Sequence, residues 1–232
     1  MKHIMLASPS YDGKVGVWHT AALVETCKIG LTKDINIFPL YVSFDSLVQR
    51  ARNDIFKIAY EMGVDELVFI DGDQDWNPND FFKLIEHKED IVGCPVPKKS
   101  DIAQFNIKLV SKEYKVLDNG LVEVDSVGTG FMKISKNAIQ KIWEASEEYS
   151  ELGKIEKSRM VFNIGILDGQ LVSEDVMFCS KWIHLGGKIY IDPTINSSHS
   201  GEKRWSYNFE QWINVLLNQK NNISNGIDDE EV

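Results

Sequence analysis

Over the first 95 residues, apolar runs of strand length alternate with segments whose apolar residues recur at helical spacing, and this alternation restricts the fold more than any other feature. Ile4–Ala7 reads as a strand. The loop SPSYDGKVG follows, punctuated by Pro9 and Gly13, and Trp18–Ile29 reads as a helix. Ile35–Val42, INIFPLYV, reads as a second strand; its Pro39 cannot donate to a ladder, which places it at an edge or a bulge. In the next helix Leu47, Ala51, Ile55, Ile58, Ala59 and Met62 share one face, Ser43 or Asp45 is positioned to cap it, and Gly63 ends it. A strand at Glu66–Ile70 precedes a helix with Asn77 as cap and Pro78 in its first turn, and Asp90–Cys94 is a further strand. Such alternation builds a mostly parallel sheet with helices on its faces. Ligands of these open sheets bind beyond the carboxyl ends of the strands.

One strand end is chemically unusual. In FIDGDQDW, residues 69–76, an apolar run stops at Asp71, Asp73 and Asp75. Like charges this close repel unless a positive charge sits among them. Two readings are open at this point: a solvated acidic turn, since Asp and Gly favour turns, or a divalent-cation site, since hard cations take oxygen ligands.

The second half changes character. KVLDNGLVEV carries Asn119-Gly120 between alternating runs, a hairpin signal. SVGTGFMKI, residues 126–134, is a strand interrupted by Gly128 and Gly130, where a ligand can approach the backbone or the strand can bulge. Ser135 caps a helix to about Tyr149, residues 150–160 read as a charged, mobile loop, and LDGQ at 167–170 is a turn. SEDVMFCSKWIHLGG is a helix opened by Ser173 and closed by Gly186-Gly187. KIYID is a strand, PTINSSHSGEKRW a polar loop, and Phe209–Leu217 an amphipathic helix. We expect one domain over residues 1–220 and a disordered acidic tail at 221–232.

At 232 residues and 43% hydrophobic content, one sizeable core is expected. The net charge of −10 argues against binding nucleic acid through global charge, although Lys98, Lys99, Lys108, Lys112 and Lys115 form a local basic segment. Three cysteines without a CxxC pair exclude a disulfide framework or a cysteine zinc cluster. No apolar run approaches the roughly 20 residues of a membrane span, and the expectation is a soluble cytoplasmic protein without a membrane partner.

Four segments in order, FIDGD, VGTGF, SEDVMFCSKW and SHSG, resemble those of GT-A fold glycosyltransferases, close to family 2 and to short members carried by tailed phages. The resemblance covers roughly residues 1–205 and implies an α/β, Rossmann-like three-layer domain with an acceptor-side hairpin. It implies transfer of a hexosyl or pentosyl group from a nucleotide-diphosphate sugar, UDP-linked, to an acceptor hydroxyl. A hydroxymethylated base in phage DNA is one such acceptor. A cation, Mn²⁺ or Mg²⁺, would stabilise charge growing on the leaving diphosphate.

FIDGD resembles the DxD motif, which implies metal contact by Asp73 and ribose or metal-water contact by Asp71, with Gly72 between them. His199 in SHSG is a second metal candidate, since imidazole suits Mn²⁺, and Lys203 in the same loop is placed to meet the diphosphate. The first loop, with Pro9 and Tyr11, occupies the place where the family grips base and ribose. RARN puts Arg50 and Asn53 one turn apart on a face that can point toward the nucleotide.

Asp175 is the candidate base: it lies in the first turn of a helix, whose dipole favours negative charge, and Glu174 is its neighbour. Gly128, Thr129 and Gly130 are expected to line the acceptor side, with Trp76 and Trp205 as sugar-stacking candidates. Two rival functions remain. A Mg²⁺-dependent phosphohydrolase also uses a DxD, but its nucleophilic Asp usually follows the first strand, here ending in SPSYD. The other is a non-catalytic nucleotide-sugar-binding module.

Overall fold

The computed structural model describes residues 1–110, 114–201 and 203–225. Its first half runs β1 (Lys2–Ser10), α1 (Val17–Thr32), β2 (Ile35–Ser43), α2 (Val48–Met62), β3 (Glu66–Ile70), β4 (Gln74–Trp76), α3 (Pro78–Glu86) and β5 (Ile91–Gly93). Then come β6 (Ile107–Leu109), β7 (Val122–Val127), β8 (Phe131–Ser135), α4 (Lys136–Ala145), and two ribbons, β9 (Glu148–Ser150) with β10 (Lys157–Arg159) and β11 (Gly165–Leu167) with β12 (Gln170–Val172). The chain closes with α5 (Glu174–His184), β13 (Ile189–Ile191), β14 (Ser197–Ser200), β15 (Arg204–Ser206) and α6 (Phe209–Asn225).

Eight strands form one sheet in the order β2-β1-β3-β8-β5-β13-β7-β6. β1, β2, β3, β5 and β13 point the same way and β8, between β3 and β5, is reversed, so the sheet is mostly parallel. Side chains alternate across it with period two. Ile4, Leu6, Val68 and Ile70 enter the core shared with α1 and α3, while Met5, Ala7, Leu67 and Phe69 enter the core shared with α2, α4, α5 and α6. This gives three layers.

Local signals act where the residues dictate. Pro39 lies on β2, the edge strand. Asn77 caps α3 by accepting from Asn79 N at 2.9 Å, and Ser135 caps α4 by accepting from Ala138 N at 3.2 Å. Gly63 ends α2 at φ 64°, a left-handed conformation that suits glycine. The hairpin turn at Asn119-Gly120 forms, with Gly120 at φ 81°. Its tip lies at the edge opposite the strand carboxyl ends, while the last residues of β7 lead into Gly128 at those ends.

Three expectations change. Residues 148–159 are a two-stranded ribbon rather than a loop, with Lys157 on Ser150 and Arg159 on Glu148 in register. Ser197–Ser200 pairs with β4 on one side and Arg204–Ser206 on the other in a three-stranded sheet, so the late polar segment is ordered by the strand beyond the acidic turn. The last helix continues to Asn225, through the start of the expected tail; residues 226–232 lie outside the described residues. No helix among the described residues is long and apolar enough to cross a membrane.

Asp192 ties the last strand of the sheet to α3. It is buried, accepts from Thr194 N at 2.9 Å, and lies 2.9 Å from His87 Nε2 and 3.1 Å from Lys83 Nζ. Burial raises its carboxyl, but these partners outweigh burial and hold it well below the usual carboxylate range. A lowered folded value makes ionised Asp192 stabilising above the unfolded carboxyl value of about 3.9. That contribution disappears as pH falls through the folded value. Asp192→Asn is expected to lose about 1–3 kcal/mol at neutral pH. Denaturant melts at neutral and strongly acidic pH should show the deficit shrinking in acid.

Candidate active site

The strand carboxyl ends carry two adjoining hollows. The first, of about 460 Å³, is lined by Pro9–Asp12 and Lys14–Gly16 of the first loop, by Asp45 and Arg52, by Asp71–Asp73, and by Ser200 and Gly201. The second, of about 290 Å³, is bounded by Gln74, Asn106, Gly128–Gly130, Glu174, Asp175 and His199. Arg52 and Asp71 line both, and the hollows meet there.

The acidic turn is held from several sides. Asp71 N donates to Gly130 O at 2.9 Å, Gly16 N to Gly72 O at 2.7 Å, and Ser200 N to Asp73 O at 2.7 Å. A side chain on Gly72 would sit 3.0 Å from Val15 Cγ1, so glycine lets the first loop close over the turn. Below it, buried His19 bridges Gln74 O and Tyr41 Oη, each at 3.0 Å. Burial lowers its pKa, which keeps the imidazole neutral and structural.

Each carboxylate has its own cation. Arg52 NH2 donates to Asp71 Oδ1 at 2.9 Å, and its Nε lies 3.5 Å from Glu174 Oε1. Lys99 Nζ donates to Asp73 Oδ2 at 2.7 Å, and His199 Nε2 lies 3.3 Å from the same oxygen. Burial raises the Asp73 carboxyl, but His199 and Lys99 more than reverse this and hold it at about 2. Asp75 is elsewhere: Arg204 grips it through two hydrogen bonds, at 2.8 and 3.1 Å. The repulsion posed by three clustered carboxylates is thus relieved by different basic groups at each.

At the turn, Asp73 and His199 are the pair whose donor atoms converge where they could hold a divalent cation. His199 Nδ1 lies 2.9 Å from Pro97 O, and a proton held on that side leaves the Nε2 lone pair free to ligate a metal. Asp71 is turned to Arg52 instead. Among the described residues no group of three or more His, Cys, Asp or Glu could hold a metal. Two protein donors suit an ion whose remaining positions are filled by ligand oxygens and water.

Asp175 lies at the floor of the second hollow. Oδ1 accepts from Val176 N at 2.8 Å and from Ser173 Oγ, while Oδ2 accepts from Asn106 Nδ2 at 3.2 Å. Ser173 occupies the N-cap position of α5, yet its hydroxyl serves Asp175 rather than the backbone. The glycines opposite leave room for two side-chain amides. A Cβ at Gly130 would collide with Gln74 Nε2, and one at Gly128 would lie 2.8 Å from Asn106 Nδ2.

Several expected residues are not brought here. Arg50 faces outward, bound to Asp45 at 2.7 Å and near Glu151 at 3.5 Å. Asn53 is buried and structural, pairing with Phe162 N at 2.7 Å and Phe162 O at 3.0 Å. Trp76 is in the core, donating to Thr26 Oγ1 at 3.0 Å with its ring against His19 and Phe131. Lys203 is paired with Asp101, and Trp205 Nε1 donates to the same carboxylate at 3.2 Å; neither lines a hollow. Of the basic segment, Lys99 is on Asp73 and Lys108 lies 3.7 Å from Asp125, while Lys112 lies outside the described residues.

Arg52 joins the site, between Asp71 and Glu174, although RARN pointed to Arg50 and Asn53. It stands four residues before Phe56 and seven before Ala59, on the buried face of α2. A guanidinium on an apolar stripe was the available signal. Its Nε and NH1 are buried without a hydrogen-bond partner, and so is Gln74 Oε1. Such groups are costly unless a ligand or water satisfies them. Arg52→Ala is therefore expected to reduce kcat/KM about 10²-fold or more, and Arg50→Ala to leave it within about twofold, as for a surface ion pair. Steady-state kinetics with circular dichroism as a folding control checks both.

The mixed sheet, the acidic turn after β3 and the acidic start of α5 together define a GT-A-like α/β fold. No protein-family model matches the chain, and no curated protein matches it in sequence at a significant level. In structure it is similar to A197 from STIV, with a TM-score of 0.53 and 18% identity over 87% of this chain and 86% of that one. That likeness shows a shared fold. A glycosyltransferase involved in glycosylation of the major capsid of PBCV-1 matches at TM-score 0.35 and 12% identity, over 61% of this chain and 65% of its own. TarS of S. aureus matches at TM-score 0.42 and 14% identity, over 82% of this chain and 35% of its own. Scores at that level are too low for a common fold to be inferred from them.

Proposed function

We propose that the protein is a metal-dependent glycosyltransferase that uses a nucleotide-diphosphate sugar, UDP-linked, as donor. The observation that carries this reading is the junction of two hollows at Arg52 and Asp71, with Asp73 and His199 on one side and Asp175 on the other. Base and ribose fit the first hollow, where Tyr11 is exposed and Asp45 offers an acceptor. The diphosphate then lies against Arg52, Asp73 and His199. A bound cation would supply charge stabilisation for the leaving diphosphate.

The second hollow presents Gln74, Asn106, Glu174 and Asp175, a lining suited to neutral hydroxyl groups. Asp175 takes the acceptor hydroxyl proton as that oxygen bonds to the anomeric carbon and the diphosphate departs, a displacement that inverts the anomeric centre. Asn106 and Val176 N hold the carboxylate in place for this. Hexosyl or pentosyl groups are both compatible with this lining, and a hydroxymethylated DNA base stays among the acceptor classes to test.

The phosphohydrolase reading loses support at β1. Its end is Ser8-Pro9-Ser10, and Asp12 beyond it is an exposed residue that accepts from Lys14 N at 3.1 Å rather than a positioned nucleophile.

A panel of nucleotide sugars with Mn²⁺, read by nucleoside diphosphate release, tests the proposal. Slow hydrolysis of one donor without acceptor is the expected result. Phosphate release from phosphomonoesters with every sugar nucleotide intact would select the hydrolase. Donor binding without turnover, unaffected by Asp175→Asn, would select a binding module.

A further inference from the structure

The cation at Asp73 in the free protein is a lysine, and its position bears on how metal enters. Lys99 Nζ and His199 Nε2 converge on a single oxygen, Asp73 Oδ2, at 2.7 and 3.3 Å. Lys99 is held within reach by its loop. Lys98 N donates to Gln104 O at 2.8 Å, Ser100 N to Lys98 O at 2.8 Å, and Tyr207 Oη to Ser100 O at 3.0 Å. Its stem runs past Gly201, where a Cβ would lie 3.6 Å from Lys99 Cδ. The side chain is 40% exposed, so the ammonium can leave the carboxylate without opening the fold.

We propose that Lys99 is a resident counter-cation: it occupies Asp73 in the free protein, opposes metal binding there, and transfers to the diphosphate when metal and nucleotide arrive together. The proposal rests on the metal-dependent reading of Asp73 and His199 above. Its physical basis is the shared oxygen. Mg²⁺ binds carboxylate oxygen at about 2.0–2.1 Å, and an ammonium on the same oxygen would then lie within a few ångströms of a double positive charge. Coulomb repulsion at that range is large in a partly buried site. Displaced from Asp73, the ammonium needs an anionic partner, and a diphosphate in the first hollow offers one. Metal alone must expel Lys99 into water; metal with nucleoside diphosphate gives it a new partner. The two ligands therefore bind with positive coupling, set by Lys99.

The test measures Mn²⁺ binding through the electron paramagnetic resonance signal of free Mn²⁺, with and without UDP. Wild type, Lys99→Met, Lys99→Gln and the double variant Lys99→Met/Asp73→Asn are compared, with Lys108→Met as a surface-charge control. Without UDP, both Lys99 variants are expected to bind Mn²⁺ about 10-fold more tightly than wild type, roughly one decade or 1.4 kcal/mol. The double variant and the control should show no such gain. With UDP, wild-type affinity should rise by a larger factor than that of either Lys99 variant. Equal Mn²⁺ affinity of wild type and both Lys99 variants without UDP would overturn the role of Lys99 while leaving the metal site intact. So would a gain that survives Asp73→Asn. Absence of Mn²⁺ binding by every protein even with UDP would remove the metal site itself, and with it the proposal.

Discussion

Asp175→Asn is expected to slow sugar transfer by about 10²–10⁴-fold, a loss of about 3–5 kcal/mol at 1.36 kcal/mol per decade, with donor affinity nearly unchanged. The substitution is close to isosteric and its surroundings can absorb it. Ser173 Oγ and Val176 N still find an oxygen at Oδ1, and the Asn106 side-chain amide, on a backbone held by Gly128 N at 3.0 Å and Val96 O at 3.3 Å, can turn its oxygen toward the new NH₂. What is lost is the site that accepts a proton. Glu174→Gln should act differently, because Glu174 faces Arg52 at 3.5 Å; its cost should appear in donor KM more than in kcat. Single-turnover rates and donor binding isotherms for both variants decide this. Near-normal transfer by Asp175→Asn, or a larger rate loss from Glu174→Gln, would move the proton acceptor to another carboxylate.

Asp73→Asn is expected to weaken nucleoside diphosphate binding in Mn²⁺ by about 100-fold or more, in keeping with the several kcal/mol a bridging cation contributes. The variant loses the charge on which Lys99 and His199 converge, and it keeps the backbone contacts of the turn, Ser200 N to Asp73 O at 2.7 Å among them. Thermal stability should therefore change little, as for an exposed pair. Addition of EDTA should reduce wild-type affinity to the level of the variant and leave the variant where it was. Calorimetric affinities that are equal with and without metal would fail this expectation and leave the acidic turn to Lys99 and Arg52 alone.

Much of the frame was legible from local signals. Strand and helix periodicity are properties of neighbouring residues, so the alternation over the first half, the edge position of Pro39, the Asn77 and Ser135 caps and the Gly63 stop could be read without tertiary contacts. The acidic turn, the Gly128–Gly130 segment and the start of α5 were also visible, because each sits at the end of a regular element, and ends of strands in such sheets face one edge. Their convergence on adjoining hollows follows from strand order.

The partners were decided only by the tertiary structure. RARN offers Arg50 and Arg52 within one turn of α2; helical spacing sets Arg52 on the buried stripe, but no local rule says which acids either arginine meets. Phe69 beneath and Asp71 beside draw Arg52 in, while Asp45 and Glu151 keep Arg50 outside. Trp76 follows the acidic turn in sequence, yet alternation along β4 sends its ring into the core beside His19 and sends Asp75 outward to Arg204. Lys99 and Asn106 lie in segments without a periodic pattern, and they reach Asp73 and Asp175 only because β5 and β7 end at the same edge as β3 and the start of α5. The sequence by itself determined the layers and placed the acidic groups at strand and helix ends, since both depend on residues a few positions apart. Which cation neutralises which carboxylate, and so which oxygens are left to face a ligand, is set by side chains distant in the chain, and only the folded sheet brings these together.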